Sequence, residues 1–464
     1  MITELGKATN EDLVTQLLSG HCFVFHDFTN KQLYYDSVKR KILDGIEEFE
    51  GAGCRAAVEK AGLANMHEYF PADKLIYLDM FIRKHLRRLL IEMTYAFCKA
   101  ELKWPTEFFI APDTFVVKIA YPFDVAIKSK VSYADYVAYA TEMSTEWQPF
   151  TVGNLLKKAK SSARKLLHRA RPSAGYHDHY PYAANAYGAH LDSWYGAPLD
   201  GVNLWWSIAG VEEDSGMVLY PETFGRYIPF KSQNGYIPPG NTLPKPQKLD
   251  IPDGSIFVFN SDLLHGSHLN ISRVTRIAIA PRVCLDRPRF NPDARHFDVD
   301  GWYSSEDIAG GNFENLITFP RQANGGILYE HRQKPHAERR ISIALNSDLV
   351  AGRAVRLCPS DTLPVGEKML VSFPQEDIVI IRSTRGLRAL GATCPHLKVN
   401  LIDGFHDDQH IYCPGHGVAF SLGDGSSKCS LLNVQVYRAY DHDDHIVVES
   451  AMNPVASSGT RCPS

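Results

Sequence analysis

Nowhere in its 464 residues does the chain carry an apolar run approaching the roughly 20 residues that a membrane helix needs, so no membrane partner is expected. Charge of one sign is not in excess either. Lys and Arg total 49 against 53 Asp and Glu, a formal net charge of -4, and nothing electrostatic draws such a chain to nucleic acid or to an anionic lipid surface. The first residues, Met-Ile-Thr-Glu-Leu-Gly-Lys, lack the basic start and apolar middle of a secretory leader. Cysteine is sparse: nine are scattered without framework spacing, and an odd, unpatterned set suits a reducing, cytoplasmic setting better than an oxidising one. No glycine-rich dinucleotide fingerprint follows a strand-like run. Electrons from a nicotinamide would therefore have to arrive through a separate ferredoxin or flavin reductase.

What is present exceeds one compact core, and two domains are expected from the length. Hydrophobic residues make up 44% and charged residues 22%, an ordinary globular composition. Residues 10–98 read as mainly helical. Tyr34, Val38, Ile42 and Ile46 recur at helical spacing between Lys31 and Phe49, and a second amphipathic run spans Leu75 to Phe97. Cys22 to Phe25 and Phe115 to Tyr121 read as strands. An insertion from Asp124 to Ala174 holds a basic cluster (Lys157, Lys158, Lys160, Arg164, Lys165, Arg169, Arg171), read as a solvated helix face, as a dock for an acidic electron-transfer partner, or as a lid over the pocket. Residues 331–342 are charged and poor in apolar anchors, and the domain boundary is placed there: 1–335 and 345–452.

Chemistry concentrates between Asn185 and Val283. If Tyr187 to Asp192 is a strand, the period of two puts His190 and Asp192 on one face, where imidazole and carboxylate can grip one cation. A histidine from a distant strand would complete a facial triad, the open-sided set of non-haem Fe(II) oxygenases. A bare His-x-Asp triplet is weak by itself: His406-Asp407-Asp408 and His442-Asp443-Asp444 repeat it and read as solvated turns. On Arg276-Ile-Ala-Ile-Ala, alternation turns Arg276, Ala278 and Ala280 to one side. Small residues there leave room for a carboxylate in the planar guanidinium fork.

The order His190-x-Asp192, Trp206, Gly216, His265-Gly-Ser267, Asn270, Ser272, Arg276 resembles the phytanoyl-CoA dioxygenase branch of the Fe(II)/2-oxoglutarate oxygenases, densely over 185–283 and loosely over most of 1–330. The resemblance implies an α+β fold: a double-stranded β-helix, the cupin-type jelly roll, with helices on its outside. It also implies that His190, Asp192 and His265 bind iron and that Arg276 holds the distal carboxylate of 2-oxoglutarate. Ser267, two residues after His265, could add a hydroxyl to that carboxylate, and Trp206 would wall the pocket or belong to the core. Lys118 reads as a strand-end lysine in solvent, with a pocket contact as the sharper reading.

A second centre is written in Cys394-Pro-His396 and, sixteen residues on, Cys413-Pro-Gly-His416. Two Cys-and-His pairs suit a two-iron, two-sulfur cluster with cysteines on one iron and imidazoles on the other; a Cys₂His₂ zinc site is the rival. Ligand type alternates within each loop, and Gly415 and Gly417 allow tight turns, which favours the cluster. Residues 345–452 resemble the Rieske family, a small all-β domain. The respiratory type bridges its loops with two extra cysteines where this chain has Val399 and Gly415, so the likeness is to the ferredoxin and oxygenase type. Rieske oxygenases, however, place the cluster domain first, and their Asp-x-x-His-x₄-His iron site is absent here.

The expected function is therefore an Fe(II)/2-oxoglutarate dioxygenase, fused to a Rieske carrier, that consumes dioxygen to hydroxylate or desaturate a small organic substrate. Two alternatives are an NAD(P)H-driven Rieske-type monooxygenase that ignores 2-oxoglutarate, and a redox-sensing iron-sulfur protein with a non-catalytic barrel.

Overall fold

The structure, a computed structural model, describes residues 2–4, 13–104, 107–111, 116–132, 134–136, 139, 180–184, 186–229, 237–238, 240–290, 301–317, 319, 340–346, 348–350 and 352–450. The basic cluster of the insertion, the His177-Asp178-His179 triplet and most of the charged 331–342 stretch lie outside these residues. None of the described helices is long and apolar enough to cross a membrane.

The chain divides into two compact units. One comprises 1–186, 190–226 and 248–333; the other comprises 187–189, 227–247 and 334–464. The second unit is thus discontinuous in sequence, which a single boundary near 335 does not anticipate.

In the first unit, the apolar spacing read from the sequence gives long helices α1 (Lys31–Glu50) and α2 (Leu75–Ala100), and Val38, Ile42 and Ile46 are all buried. The large sheet contains β1 (Cys22–Phe25), β2 (Phe109–Ile110), β3 (Val116–Ala120), β4 (Gly201–Ala209), β5 (Ile256–Asn260), β6 (Arg276–Ala280), β7 (Arg282–Cys284) and β8 (Tyr303–Ser304). Its central order is β1-β5-β4-β7-β2-β8, and β6 pairs with both β4 and β3. A smaller sheet includes β9 (Met217–Leu219) paired antiparallel with β10 (His265–Ser267).

Alternation along β4 divides its two tryptophans. Trp205, opposite Phe257, joins Met217, Leu219, Phe259 and Ala278 in a core drawn from both sheets. Trp206 turns the other way, edge-on to Phe28 and beside Tyr35. The expected pocket wall is therefore core packing beneath the helices; a shift of one residue along a strand exchanges the faces. It is Trp205 that shares a side with Ala278, and hence with Arg276.

In the second unit, a seven-stranded sheet runs β11 (Ile341–Ala344), β13 (Lys368–Ser372), β14 (Asp377–Ser383), β15 (Gly386–Gly391), β18 (Val436–His442), β19 (His445–Glu449), β12 (Ala354–Pro359). A hairpin of β16 (His410–Tyr412) and β17 (Ala419–Ser421) stands apart from it. The turn joining β18 to β19 holds Asp443 and Asp444 at positive φ, so the His442 triplet is a hairpin turn. Residues 240–247 strap this unit: the Gly240 N–H donates to Asp403 Oδ1 at 3.2 Å and the Leu243 N–H to Asp403 O at 3.2 Å. Arg340 pairs with the same carboxylate, and Lys245 lies over the rings of Phe405 and Tyr412.

Candidate metal centres

His190 and Asp192 meet, but not through a strand. Their segment makes a single antiparallel bridge, His190 to His265, with the His190 N–H donating to His265 O at 2.7 Å and the return bond at 3.0 Å. The chain then coils into a short 3-10 turn, Asp192–Tyr195, which ends at Gly196 with φ 89°. Gly196 supplies the left-handed backbone that lets the Ala197 N–H return to Asp192 O at 3.2 Å. The expected strand at 187–192 is thus replaced by a bridge and a turn, and the two ligand candidates converge by folding rather than by pleating.

The donor atoms of His190, Asp192 and His265 all lie within 4.8 Å of one another. His190 Nε2 is 3.5 Å from Asp192 Oδ1, and His265 Nε2 is 3.7 Å from Asp192 Oδ2. His265 Nδ1 is 2.8 Å from the Leu263 carbonyl, so that nitrogen carries the proton and Nε2 presents its lone pair to the group, the tautomer a metal ligand needs. Burial lowers His265 to about 4, against the pull of Asp192, so the imidazole is neutral at physiological pH.

Asp192 is buried. Burial alone would raise its pKa, but Arg282, His265 and His190 together hold it well below the usual carboxylate range. Arg282 Nη2 donates to Asp192 Oδ1 at 2.7 Å, and Asn203 Nδ2 donates to Oδ2 at 2.6 Å. Neither residue was singled out in the sequence. A polar Asn203 inside Gly-Val-Asn-Leu-Trp-Trp was one available signal. The other was the even-numbered series 276, 278, 280, 282, which carries Arg276's period past Pro281 to a second arginine.

Arg276 opens β6 with 1% exposure, and its Nε and Nη2 have no hydrogen-bond partner among the described residues. It lines a cavity with Ala120, Tyr121, His268 and Asn270. A buried guanidinium without acceptors costs several kcal/mol unless an anion reaches it, so the donor set fits a carboxylate. Lys118 of β3 stands opposite Ala278 while Arg276 stands opposite Ala120, which puts both cations on one face. The reading of Lys118 as a solvent lysine is corrected: it is half-buried, and burial, followed by the Arg276 charge, lowers it to about 8. Ser267 is half-buried on the His265 side of β10. His268 is buried with its Nδ1 2.6 Å from the Leu269 carbonyl.

In the second unit, Cys394, His396, Cys413 and His416 each have 1% exposure. Their two loops are near copies. In the first, Cys394 N–H donates to Val399 O and Lys398 N–H returns to Cys394 O; in the second, Cys413 N–H donates to Val418 O and Gly417 N–H returns to Cys413 O. The fifth residue of each loop is left-handed, Lys398 at φ 58° and Gly417 at φ 73°. The imidazole centroids of His396 and His416 are 4.8 Å apart. The Cys394 thiol is hydrogen-bonded to Cys413, which raises Cys394 and lowers Cys413. A Cβ at Gly415 would lie 3.4 Å from Val399 Cγ2 and 3.6 Å from Cys413 Sγ, so the loops abut where the respiratory type has its extra cysteines.

A tetrahedral zinc would gather its four donors within about 4 Å of one another. Among the described residues, only His190, Asp192 and His265 bring three or more such atoms within 4.8 Å of one another. The quartet therefore extends beyond one ion, as a two-iron cluster requires.

Residues 353–437 match the family model of the Rieske [2Fe-2S] domain, and this part of the chain is a Rieske domain. Among solved structures, the chain is similar to the ferredoxin of carbazole 1,9a-dioxygenase from Nocardioides aromaticivorans IC177, at 24% identity over 21% of this chain and 97% of that one, with a TM-score of 0.20. It is also similar to a Sphingomonas yanoikuyae B1 ferredoxin (22% identity, 21% and 99% covered, TM-score 0.20) and to apo dicamba monooxygenase (21% identity, 25% and 39% covered, TM-score 0.21). No curated protein matches the chain. A Rieske domain brings with it an oxidoreductase role, in electron transfer or in oxygenation.

Proposed function

We propose that the first unit is a non-haem Fe(II)/2-oxoglutarate-dependent dioxygenase of the jelly-roll type and that the Rieske domain is its attached electron carrier. The observation that carries this reading is a three-donor cluster in the same unit as a buried arginine whose Nε and Nη2 lack acceptors. His190, Asp192 and His265 would hold the iron, and Arg276, with Lys118 on its face, would take the distal carboxylate of 2-oxoglutarate. Cys394 and Cys413 would hold one cluster iron, His396 and His416 the other.

With Fe(II) and 2-oxoglutarate bound, such a centre couples decarboxylation of the keto acid to succinate and CO₂ with hydroxylation or desaturation of a substrate by dioxygen. The chain's own part is positional. His265 is held in one tautomer by Leu263, Asp192 is held at both oxygens by Arg282 and Asn203, and the burial of Arg276 keeps water from competing for its N–H groups. The substrate class is a small organic molecule, and a separate ferredoxin or flavin reductase feeds the cluster.

The test is anaerobic loading with Fe(II) and 2-oxoglutarate followed by dioxygen. Succinate should form, and Asp192→Ala should reduce it by at least about a hundredfold, since an iron site loses a third of its protein ligands. Dioxygen uptake that requires NAD(P)H and yields no succinate would overturn the 2-oxoglutarate part and favour a Rieske-type monooxygenase.

A further inference from the structure

Asp192 is gripped by a cation as well as facing the two histidines. Arg282 and Asn203 stand directly opposite each other in the β7 and β4 pairing. The guanidinium uses Nε to donate to Asn203 Oδ1 at 3.1 Å and Nη2 to donate to Asp192 Oδ1 at 2.7 Å, while Asn203 completes the triangle at Asp192 Oδ2. Two N–H groups of a planar fork are thus fixed in one geometry, which a lysine cannot reproduce. A metal-ligating imidazole is neutral, so in the loaded site the Asp192 carboxylate and the Arg282 guanidinium would cancel, and the three donors with this cation would sum to zero charge rather than minus one.

We propose that Arg282 is a charge-setting residue that biases the three-donor site toward a divalent over a trivalent ion and so keeps its iron ferrous. The inference rests on the metal-site reading above. A fixed positive charge on the far side of a ligand carboxylate opposes each added positive charge on the ion. The one-electron couple, ferric plus an electron giving ferrous, therefore shifts toward ferrous. Hydrogen bonding by itself does not do this: a neutral donor at the same place would orient Asp192 equally and leave the charge balance at minus one. Arg282 is not among the residues lining the cavity of Arg276, and its hydrogen bond into the three-donor group is to Asp192.

The experiment uses the full chain with its cluster, loaded with iron alone, in a mediator titration that follows the ferric signal of the mononuclear site by paramagnetic resonance, separately from the Rieske signal. Arg282→Gln, which keeps a donor and removes the charge, should lower the ferrous preference tenfold or more, about 59 mV in midpoint. Arg282→Lys, which keeps the charge, should stay within about threefold of the parent. Equal shifts in the Gln and Lys variants, or none in either, would show Arg282 to be a structural prop and overturn the inference. If the parent protein shows no mononuclear signal and binds no Co(II), the metal-site reading itself fails, and this proposal with it.

Discussion

Lys118 and Arg276 form a pair of like charges on one face of neighbouring strands, a placement that destabilises the empty site and favours an anion between them. Because burial and Arg276 bring Lys118 down to about 8, its charge is present at neutral pH and is lost as pH rises through that value. Affinity for 2-oxoglutarate should therefore weaken from neutral to mildly alkaline conditions, while the carboxylates of the ligand stay ionised throughout. Lys118→Met should bind more weakly at neutral pH and lose the dependence. Anaerobic titration of the iron-loaded protein across that range checks both, and a parent affinity flat through pH 8 would remove Lys118 from the anion site.

The two cluster loops are one element used twice, and their comparison isolates a backbone cost. Glycine accepts the left-handed conformation freely, whereas a side chain there costs roughly 1–2 kcal/mol. Lys398 bears that cost and Gly417 does not. Lys398→Gly should gain up to about 1 kcal/mol of stability after the entropy of the added glycine is subtracted, and Gly417→Ala should lose about 1–2 kcal/mol. Thermal melting followed through the visible absorption of the cluster measures both, and loss of stability in Lys398→Gly would contradict the loop equivalence. These loops were legible in the sequence because Cys-Pro and His at short spacing carry their own geometry. The first unit was less so. The helices at 31–50 and 75–100 followed from apolar spacing, but Trp205 and Trp206 are adjacent and chemically identical, and only register decides which one faces inward. His190 makes an isolated bridge to His265 while Asp192 opens a 3-10 turn, and nothing in the alternation of Tyr187 to Asp192 signals that no strand forms there. Arg282 and Asn203 come together only through pairing of β7 with β4, a long-range contact that no local pattern contains.

On the scale of the whole molecule, the Rieske unit is assembled from three separated stretches of chain. Asp403 illustrates the dependence, since its partners are Gly240, Leu243 and Arg340. A fragment comprising 340–450 alone keeps Cys394, His396, Cys413 and His416 but lacks the 240–247 strap, so Asp403 loses the Gly240 and Leu243 N–H donors, Asp407 loses the Lys245 ammonium 3.6 Å away, and the Phe405 and Tyr412 rings lose their cover. It should bind the cluster and melt lower than the same unit within the full chain. Supplying the strap as a peptide should recover part of the difference. Equal melting of fragment and full chain would show the strap to be dispensable.

The strap also bears on how the protein is made. During synthesis, residues 240–247 leave the ribosome well over a hundred residues before Asp403, Phe405 and Tyr412, which they contact, and domains fold as their chain emerges. Until then, the strap has no partner within its own unit. Gene exchange that swapped only the C-terminal cassette would leave the old strap facing foreign residues, so the strap and the cassette are tied to one another in inheritance.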